Sequence, residues 1–151
     1  MRHTLEETRS AFIEKIGLKA QADGLPRIAG RVLGLLIWDG TAVSFASLAD
    51  QLMVSRGSIS SATRILLERR LIKRIAKAGE RQDFFQLSDA PYVSMMEATK
   101  ISLDNAKDEI NATLNDIPDA QTEIKARVAA YADFYGKMSK AVDGILTDMR
   151  S

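Results

Sequence analysis

Cysteine is absent from the 151-residue sequence, and histidine occurs once, as His3. Without cysteine the chain has no disulfide, no thiol redox sensor, no zinc finger and no iron–sulfur cluster. One histidine near the N-terminus also leaves no set of imidazoles for a metal site or a catalytic triad. The composition therefore predicts neither a metal nor another cofactor.

Long apolar runs are also missing. The longest mostly apolar stretch, residues 32–38, is far shorter than the roughly 20 residues that a membrane-spanning helix needs. Glu6, Glu7 and Arg9 follow the first residue closely, which is not the basic-then-apolar order of a signal peptide. The sequence therefore predicts a cytoplasmic protein with no membrane partner.

Catalytic constellations are not apparent either. Serine, aspartate and glutamate are plentiful, yet no nucleophile has a base beside it and no pair of carboxylates has a credible pocket. With 46% apolar and 27% charged residues, the composition is that of an ordinary globular protein. We therefore expect a protein that binds a partner and is not an enzyme.

Charge is unevenly distributed along the chain although the net charge is only +1. Residues 54–81 contain eight lysines and arginines against Glu68 and Glu80, a local charge of +6. Phosphate binding needs such a local surplus, and a solvated basic surface would have the same composition.

Apolar spacing predicts two helices before residue 40. The first covers about residues 4–20, and Pro26 suits the first turn of the second, which ends at Asp39. Gly30 and Gly34 lie one turn apart on the second helix, where they would let a neighbouring helix pack closely.

A helix-turn-helix and a hairpin follow. Ser44 is a suitable N-cap for a helix over residues 45–53, and Ser55 for a longer helix over residues 55–70. Two strand-like segments within residues 71–88 flank a tip that contains Gly79. A hairpin placed directly after a helix-turn-helix is typical of the wing of a winged helix. We therefore expect a lobe over residues 25–90.

Two further helices are predicted over residues 91–150. In the last one, apolar residues alternate spacings of four and three from Ile124 to Met149, which defines a narrow seam for packing against another helix. The partner is residues 92–117 of the same chain, a second chain, or both.

Three local signatures carry a resemblance to a known family. They are GLPRIAGRVLG at residues 24–34, SRGSIS at 55–60, and GER at 79–81 before the FF at 84–85. In this order and spacing the sequence resembles the MarR family of winged-helix transcriptional regulators, and more narrowly its GbsR-type branch. Two positions depart from the family pattern: Arg70 stands where a small residue, usually glycine, is common, and the segment before Ser44 lacks a frequent proline.

The resemblance implies a fold and a function. The fold is mainly α with a small β-wing: one MarR-like domain in which a winged helix-turn-helix is flanked by N- and C-terminal dimerisation helices. The function is sequence-specific DNA binding by a homodimer, most often repression. The partners are then a pseudo-palindromic operator in double-stranded DNA, a second copy of the chain and a small-molecule effector. The alternative is a winged-helix module that binds only proteins.

Helical spacing separates the predicted recognition helix into two faces. Ile59, Ala62, Thr63 and Leu66 share the buried side. Small residues on a helix face allow close approach to DNA, and long donors reach bases or phosphates.

On the wing, Glu80 or Asp83 is positioned to orient Arg81. The candidate DNA-binding residues are Ser55, Arg56, Gly57, Ser58, Ser60, Ser61 and Arg64 on the helix, and Arg74, Lys77 and Arg81 on the wing.

Two further sets of residues complete the predicted sites. Trp38, Phe45 and Tyr92 are candidates for an effector cleft, where the GbsR-type resemblance implies a quaternary ammonium ligand held by aromatic faces. Plain core packing is the alternative, and we favour it. The candidate dimer interface comprises Leu5, Phe12, Ile124, Val128, Tyr131, Tyr135, Met138, Val142 and Ile145.

Overall fold

Helices make up most of the chain, and the only sheet that the described residues form is small, which confirms the predicted fold class. The computed structural model describes residues 2–151. They fall into two compact units, one ending at Pro91 and the other spanning Tyr92–Ser151, which are described in turn. The elements are α1 (Leu5–Ala22), α2 (Arg27–Asp39), β1 (Val43–Ser44), α3 (Phe45–Leu52), α4 (Arg56–Glu68), β2 (Ile72–Ile75), β3 (Phe84–Leu87), α5 (Pro91–Leu114) and α6 (Thr122–Arg150).

Polar caps begin the two helices of the helix-turn-helix, as predicted. The Oγ of Ser44 accepts the N–H of Ser47 at the start of α3, and Ser55 caps α4 in the same way. Pro26 was expected inside the first turn of α2 but is its N-cap, with extended backbone (φ −60°, ψ 140°). Its carbonyl accepts the first helical hydrogen bonds. Because an N-cap residue donates no hydrogen bond within the helix, the missing N–H of proline does not destabilise α2 at this position.

Helix α2 approaches α1 closely at two glycines. A Cβ at Gly30 would lie 2.5 Å from both the Cβ of Ala20 and the carbonyl oxygen of Ile16. A Cβ at Gly34 would lie 3.1 Å from the Cβ of Ile16. The absence of side chains at both positions lets the two backbones meet, which confirms the close packing predicted from their spacing.

The core of the first unit lies on α2 and beneath the helix-turn-helix. Most of α2 is buried, and α3, α4 and β3 add their apolar faces to it. The largest fully buried side chains are Phe85, Leu35, Leu36, Leu48, Ile59, Leu66 and Val32. The apolar surface that they remove from water holds α4 to the rest of the unit.

The wing (residues 71–88) is a hairpin with a third strand that the sequence pattern does not predict. Strands β2 and β3 are antiparallel, with Ile72 opposite Leu87 and Ile75 opposite Phe84. The two-residue strand β1 pairs with the other edge of β3, so the order is β1-β3-β2. Two residues are too few for a periodic signal, and only the folded arrangement brings them to β3.

The second unit consists of α5 and α6. Helix α5 ends at Leu114, before the predicted end near residue 117, because tighter turn hydrogen bonds follow it. Ser139 of α6 is buried and donates to Asp104 of α5 over 2.5 Å, and Lys100 donates to both. The hydrogen bond from Ser139, and then the one from Lys100, lower the pKa of Asp104. This network ties the two helices together.

The end of α4 places Arg70 in the left-handed region, with φ 60°. The N–H of Leu71 donates to the oxygen of Leu66 and the N–H of Arg70 to that of Leu67, which is a Schellman motif. A side chain with a Cβ costs roughly 1–2 kcal/mol in this conformation. This left-handed conformation explains why the resemblance to the MarR family leads us to expect a small residue, usually glycine, at position 70.

Gly30→Ala should destabilise the first unit, because the new methyl group meets the backbone of α1. We expect a loss of about 1–3 kcal/mol in the free energy of unfolding, measured by urea denaturation. Gly144→Ala is the matched control, since its Cβ meets nothing within 4 Å. Equal effects of the two substitutions would contradict the close approach.

Arg70→Gly should stabilise the protein by about 1 kcal/mol, because glycine adopts the left-handed conformation without strain. Thermal or urea unfolding measures the change. Arg69→Gly is the control: Arg69 has φ −84° in the right-handed region, so glycine relieves no strain there and lowers stability. A loss of stability in Arg70→Gly would show that the side chain contributes more than the strain costs.

Candidate nucleic-acid interface

Helix α4 has one buried and one exposed face, as its sequence predicts. Ile59, Ala62 and Leu66 are fully buried. Thr63 lies beside them and donates its hydroxyl hydrogen to the carbonyl oxygen of Ile59, 2.8 Å away, so the buried hydroxyl is satisfied within the helix. The opposite face is exposed and consists of Gly57, Ser60, Ser61, Arg64 and Glu68.

The first turn of α4 is organised by Ser55 and Phe45. The Oγ of Ser55 accepts the N–H of Ser58 over 3.1 Å and donates to the Oγ of Ser58 over 3.0 Å. The guanidinium of Arg56 lies 5.1 Å from the centre of the Phe45 ring, which restrains the cation without neutralising it. The helix therefore begins with backbone N–H groups and a restrained cation, a combination that suits a phosphate.

Arg64 lies on the exposed face of α4 with no hydrogen bond or ion pair to any residue that the structure describes. It borders a groove of about 300 Å³ between α4 and the wing. Ser60 and Glu68 line the α4 side of this groove, and Arg74 and Asp83 line the wing side. The Arg64 guanidinium is thus free to bind a ligand.

Aromatic rings of β3 hold the cations of the wing. Arg74 lies 5.9 Å from the centre of the Phe85 ring, and its Nε is 3.2 Å from a carboxylate oxygen of Asp83. The Nζ of Lys77 lies 4.4 Å from the centre of the Phe84 ring. Each cation is thereby restrained on its own ring, and because successive residues of a strand face opposite sides of the sheet, Phe84 and Phe85 hold them on different faces of the hairpin.

Arg81 follows the tip of the wing and is exposed. Gly79 has φ 81°, and the N–H of Glu80 donates to the carbonyl of Lys77, which closes the turn. The expectation that Glu80 or Asp83 orients Arg81 is wrong: Asp83 pairs with Arg74, and within residues 2–151 Arg81 has no ion pair. Its guanidinium is free, like that of Arg64.

Met53 in the turn between α3 and α4 was missed by the sequence analysis. It has φ 54° and is 87% exposed, and the neighbouring Val54 N–H donates to the carbonyl of Ala49. The tight turn requires a residue with left-handed backbone, and methionine is not a residue type that favours this conformation.

The candidate effector residues Trp38 and Phe45 have different neighbours in the first unit. The Trp38 ring packs against Phe12, with 5.5 Å between ring centres. Phe45 supports Arg56 and lines the groove beside α4, whose lining includes neither Trp38 nor Tyr92. Tyr92 is half-exposed at the start of the second unit.

The candidate dimer residues differ in exposure. Tyr131 and Tyr135 contact each other edge to face, with 3.2 Å between their hydroxyl oxygens. Val142 is buried in the single chain, so its burial requires no second chain. Leu5, Ile124, Tyr131 and Ile145 are exposed, and Phe12, Val128, Tyr135 and Met138 are partly buried.

Two other kinds of site are absent from the described residues. In residues 2–151, no group of three or more histidines, aspartates or glutamates is arranged to hold a metal ion. Among the helices of this same range, none combines the length and apolar character needed to cross a membrane.

Known regulators are similar to the chain. The HTH-type transcriptional regulator MmpR5 of Mycobacterium tuberculosis is 29% identical over 136 residues, which cover 89% of this chain and 82% of the relative. The HTH-type transcriptional repressor OpcR of Bacillus subtilis is 23% identical over 88 residues, 58% of this chain and 48% of the relative. No family model matches.

A transcriptional regulator of known crystal structure is similar in fold and sequence. It is 27% identical, with a TM-score of 0.78, and the alignment covers 93% of this chain and 97% of that one. The described geometry agrees: a capped helix-turn-helix, a wing, and exposed basic residues on both. The chain is therefore a winged-helix transcriptional regulator of the helix-turn-helix type, as its resemblance to the MarR family predicts.

Proposed function

We propose that the chain is a homodimer that binds a pseudo-palindromic operator in double-stranded DNA, with α4 in the major groove and the wing on the backbone or in the minor groove. The observation that carries the proposal is the exposed face of α4, which combines small residues with the unpaired Arg64. Relatives named as transcriptional regulators and a repressor support it.

Base recognition is assigned to α4. Gly57, Ser60 and Ser61 keep the exposed face narrow, so the helix backbone reaches deep into the major groove. Arg64 is the long donor on this face, and a bidentate hydrogen bond to a guanine is the commonest specific contact of an arginine. A single such donor distinguishes few base pairs, so DNA shape and half-site spacing supply further specificity.

Phosphate binding is assigned to the start of α4 and to the wing. Ser55, Arg56 and Ser58 surround the N–H groups of the first turn, where a phosphate oxygen is favoured by the helix dipole. On the wing, Lys77 and Arg74 are restrained on aromatic rings, and the free Arg81 reaches the minor groove or the backbone.

Dimerisation is assigned to the terminal helices. Leu5 is 74% exposed and Tyr131 53%, large values for apolar and aromatic side chains. A second copy that covers them would present two copies of α4 roughly 34–36 Å apart, one turn of DNA. We further propose that the two units act as one MarR-like domain.

The proposal also includes a small effector and the location of the protein in the cell. For a small effector, which the GbsR-type resemblance implies is a quaternary ammonium, Trp38, Phe45 and Tyr92 are separate candidate aromatic contacts. The chain acts without a cofactor and not as an enzyme, and it works in the cytoplasm, beside the DNA that it regulates. A module that binds only proteins is disfavoured, because it would need neither the basic wing nor Arg64.

Selection from a random duplex pool should enrich one symmetric operator, bound by two chains. Because phosphate contacts release counterions, affinity should fall on the order of 10³-fold between about 50 and about 200 mM salt. Fluorescence anisotropy across a salt series measures this fall. Absence of binding at the lowest salt by a folded dimer would refute the proposal and favour the protein-binding module.

Arg64→Ala should cost about 1–3 kcal/mol of operator affinity and should relax the preference at one base pair of each half-site. Lys15→Ala is the control, since it removes the same charge from the exposed surface of α1. Repeating the selection with both variants gives the readout. A uniform loss over all sequences would make Arg64 a phosphate contact and contradict its assigned role.

A further inference from the structure

Two arginines hold the last turn of α3, directly before the turn that leads into α4. The Nη2 of Arg31 donates to the backbone carbonyl of Leu52 over 3.1 Å, and its Nε donates to Glu14 of α1 over 2.8 Å. A cation at the carboxyl end of a helix also interacts favourably with the helix dipole. Arg31 thus connects α1 to the end of α3 through α2.

Arg9 makes a second connection to the same turn. Its guanidinium binds both carboxylate oxygens of Asp39, over 2.9 and 2.8 Å, and its Nη2 also donates to Gln51 over 2.8 Å. The hydrogen bond to Asp39 raises the pKa of Arg9, so this cation is charged throughout the accessible pH range. We call the contacts of Arg9 and Arg31 with Gln51 and Leu52 the arginine clamp.

The clamp is built into the packing of α1 on α2. A Cβ at Gly17 would lie 2.8 Å from the Cγ of Arg31, so the missing side chain leaves room for the arginine stem. The side chain of Arg31 is 20% exposed and that of Arg9 is 17% exposed. Burial opposes the charge of Glu14, but the hydrogen bonds from Arg31 and Arg27 prevail and lower its pKa. Charge-assisted bonds in such partial burial are stronger than those on an open surface.

The chain has little slack between the clamp and α4. Met53 and Val54 separate Leu52 from the N-cap Ser55, and the N–H groups of both are bonded back to α3. A change in the position of the last turn of α3 is therefore passed to the start of α4.

We propose that Arg31, with Arg9, is a positioning residue that couples the placement of α1 to the orientation of the recognition helix. The functional part of this inference rests on the proposed DNA binding. Among residues 2–151, Arg31 has no hydrogen bond or ion pair with the DNA-facing residues; it acts through the carbonyl of Leu52. Since α1 is assigned to the dimer, the clamp carries a change at the dimer interface to the DNA-reading surface.

Arg27 provides a matched control. It donates to Glu14 over 2.9 Å, as Arg31 does, but in the part of the chain that the structure describes it has no hydrogen bond or ion pair with α3. Arg27→Gln and Arg31→Gln therefore make the same chemical change to the same ion-pair cluster, and only the second releases α3.

The test has a DNA-free arm and a DNA arm. In the DNA-free dimer, Arg31→Gln should speed amide hydrogen exchange at Met53 and Val54 about tenfold more than Arg27→Gln, a ratio typical of a coupling between sites. With DNA, Arg31→Gln should weaken operator binding about tenfold while its affinity for random duplex stays within about twofold, because its phosphate contacts are intact.

The outcomes separate the two proposals. Equal exchange in Arg27→Gln and Arg31→Gln, or an equal loss on operator and random duplex, would overturn the positioning role. If the wild-type chain binds no DNA, the proposed function fails, while the exchange experiment still decides whether the clamp holds α3. Should Arg31→Gln unfold, Arg9→Gln breaks the other arm at Gln51 and is expected to give the same exchange signature.

Discussion

The close approach of α1 to α2 at Gly30 is the constraint on which the first unit depends. Because no side chain separates the backbones, Arg31 reaches Glu14 across the contact while its guanidinium still extends to Leu52. The same helix α2 carries buried leucines on which α3, α4 and β3 pack. One pair of helices thus supplies both the core and the polar connections that hold the helix-turn-helix.

The arginines of this chain differ in whether a carboxylate binds their guanidinium. Arg9, Arg27 and Arg31 are paired with carboxylates, so their charges stabilise the fold and are not available to a ligand. Arg64 and Arg81 have no such partner among the described residues. Unpaired positive charge is therefore exposed on α4 and on the wing, which is what binding a polyanion requires.

Periodic features of the fold were predictable from the sequence, and isolated ones were not. The faces of α4 follow from helical spacing, and Ser44 and Ser55 are recognisable caps because their side chains bond locally. The strand β1 is too short to leave a pattern. Met53 and Arg70 adopt left-handed backbone that their residue types disfavour, so propensity points away from the observed turns.

The sequence by itself determined the helices, the hairpin, the cationic stretch and the order in which they occur, because each depends on neighbours within a few residues. Only the tertiary structure decided which cations are used internally and which are free: Asp83 pairs with Arg74 and not with Arg81, and Arg31 binds Leu52. Val142 is likewise buried without a second chain. Such partners lie on different elements, and their distances are set by packing that no local pattern records.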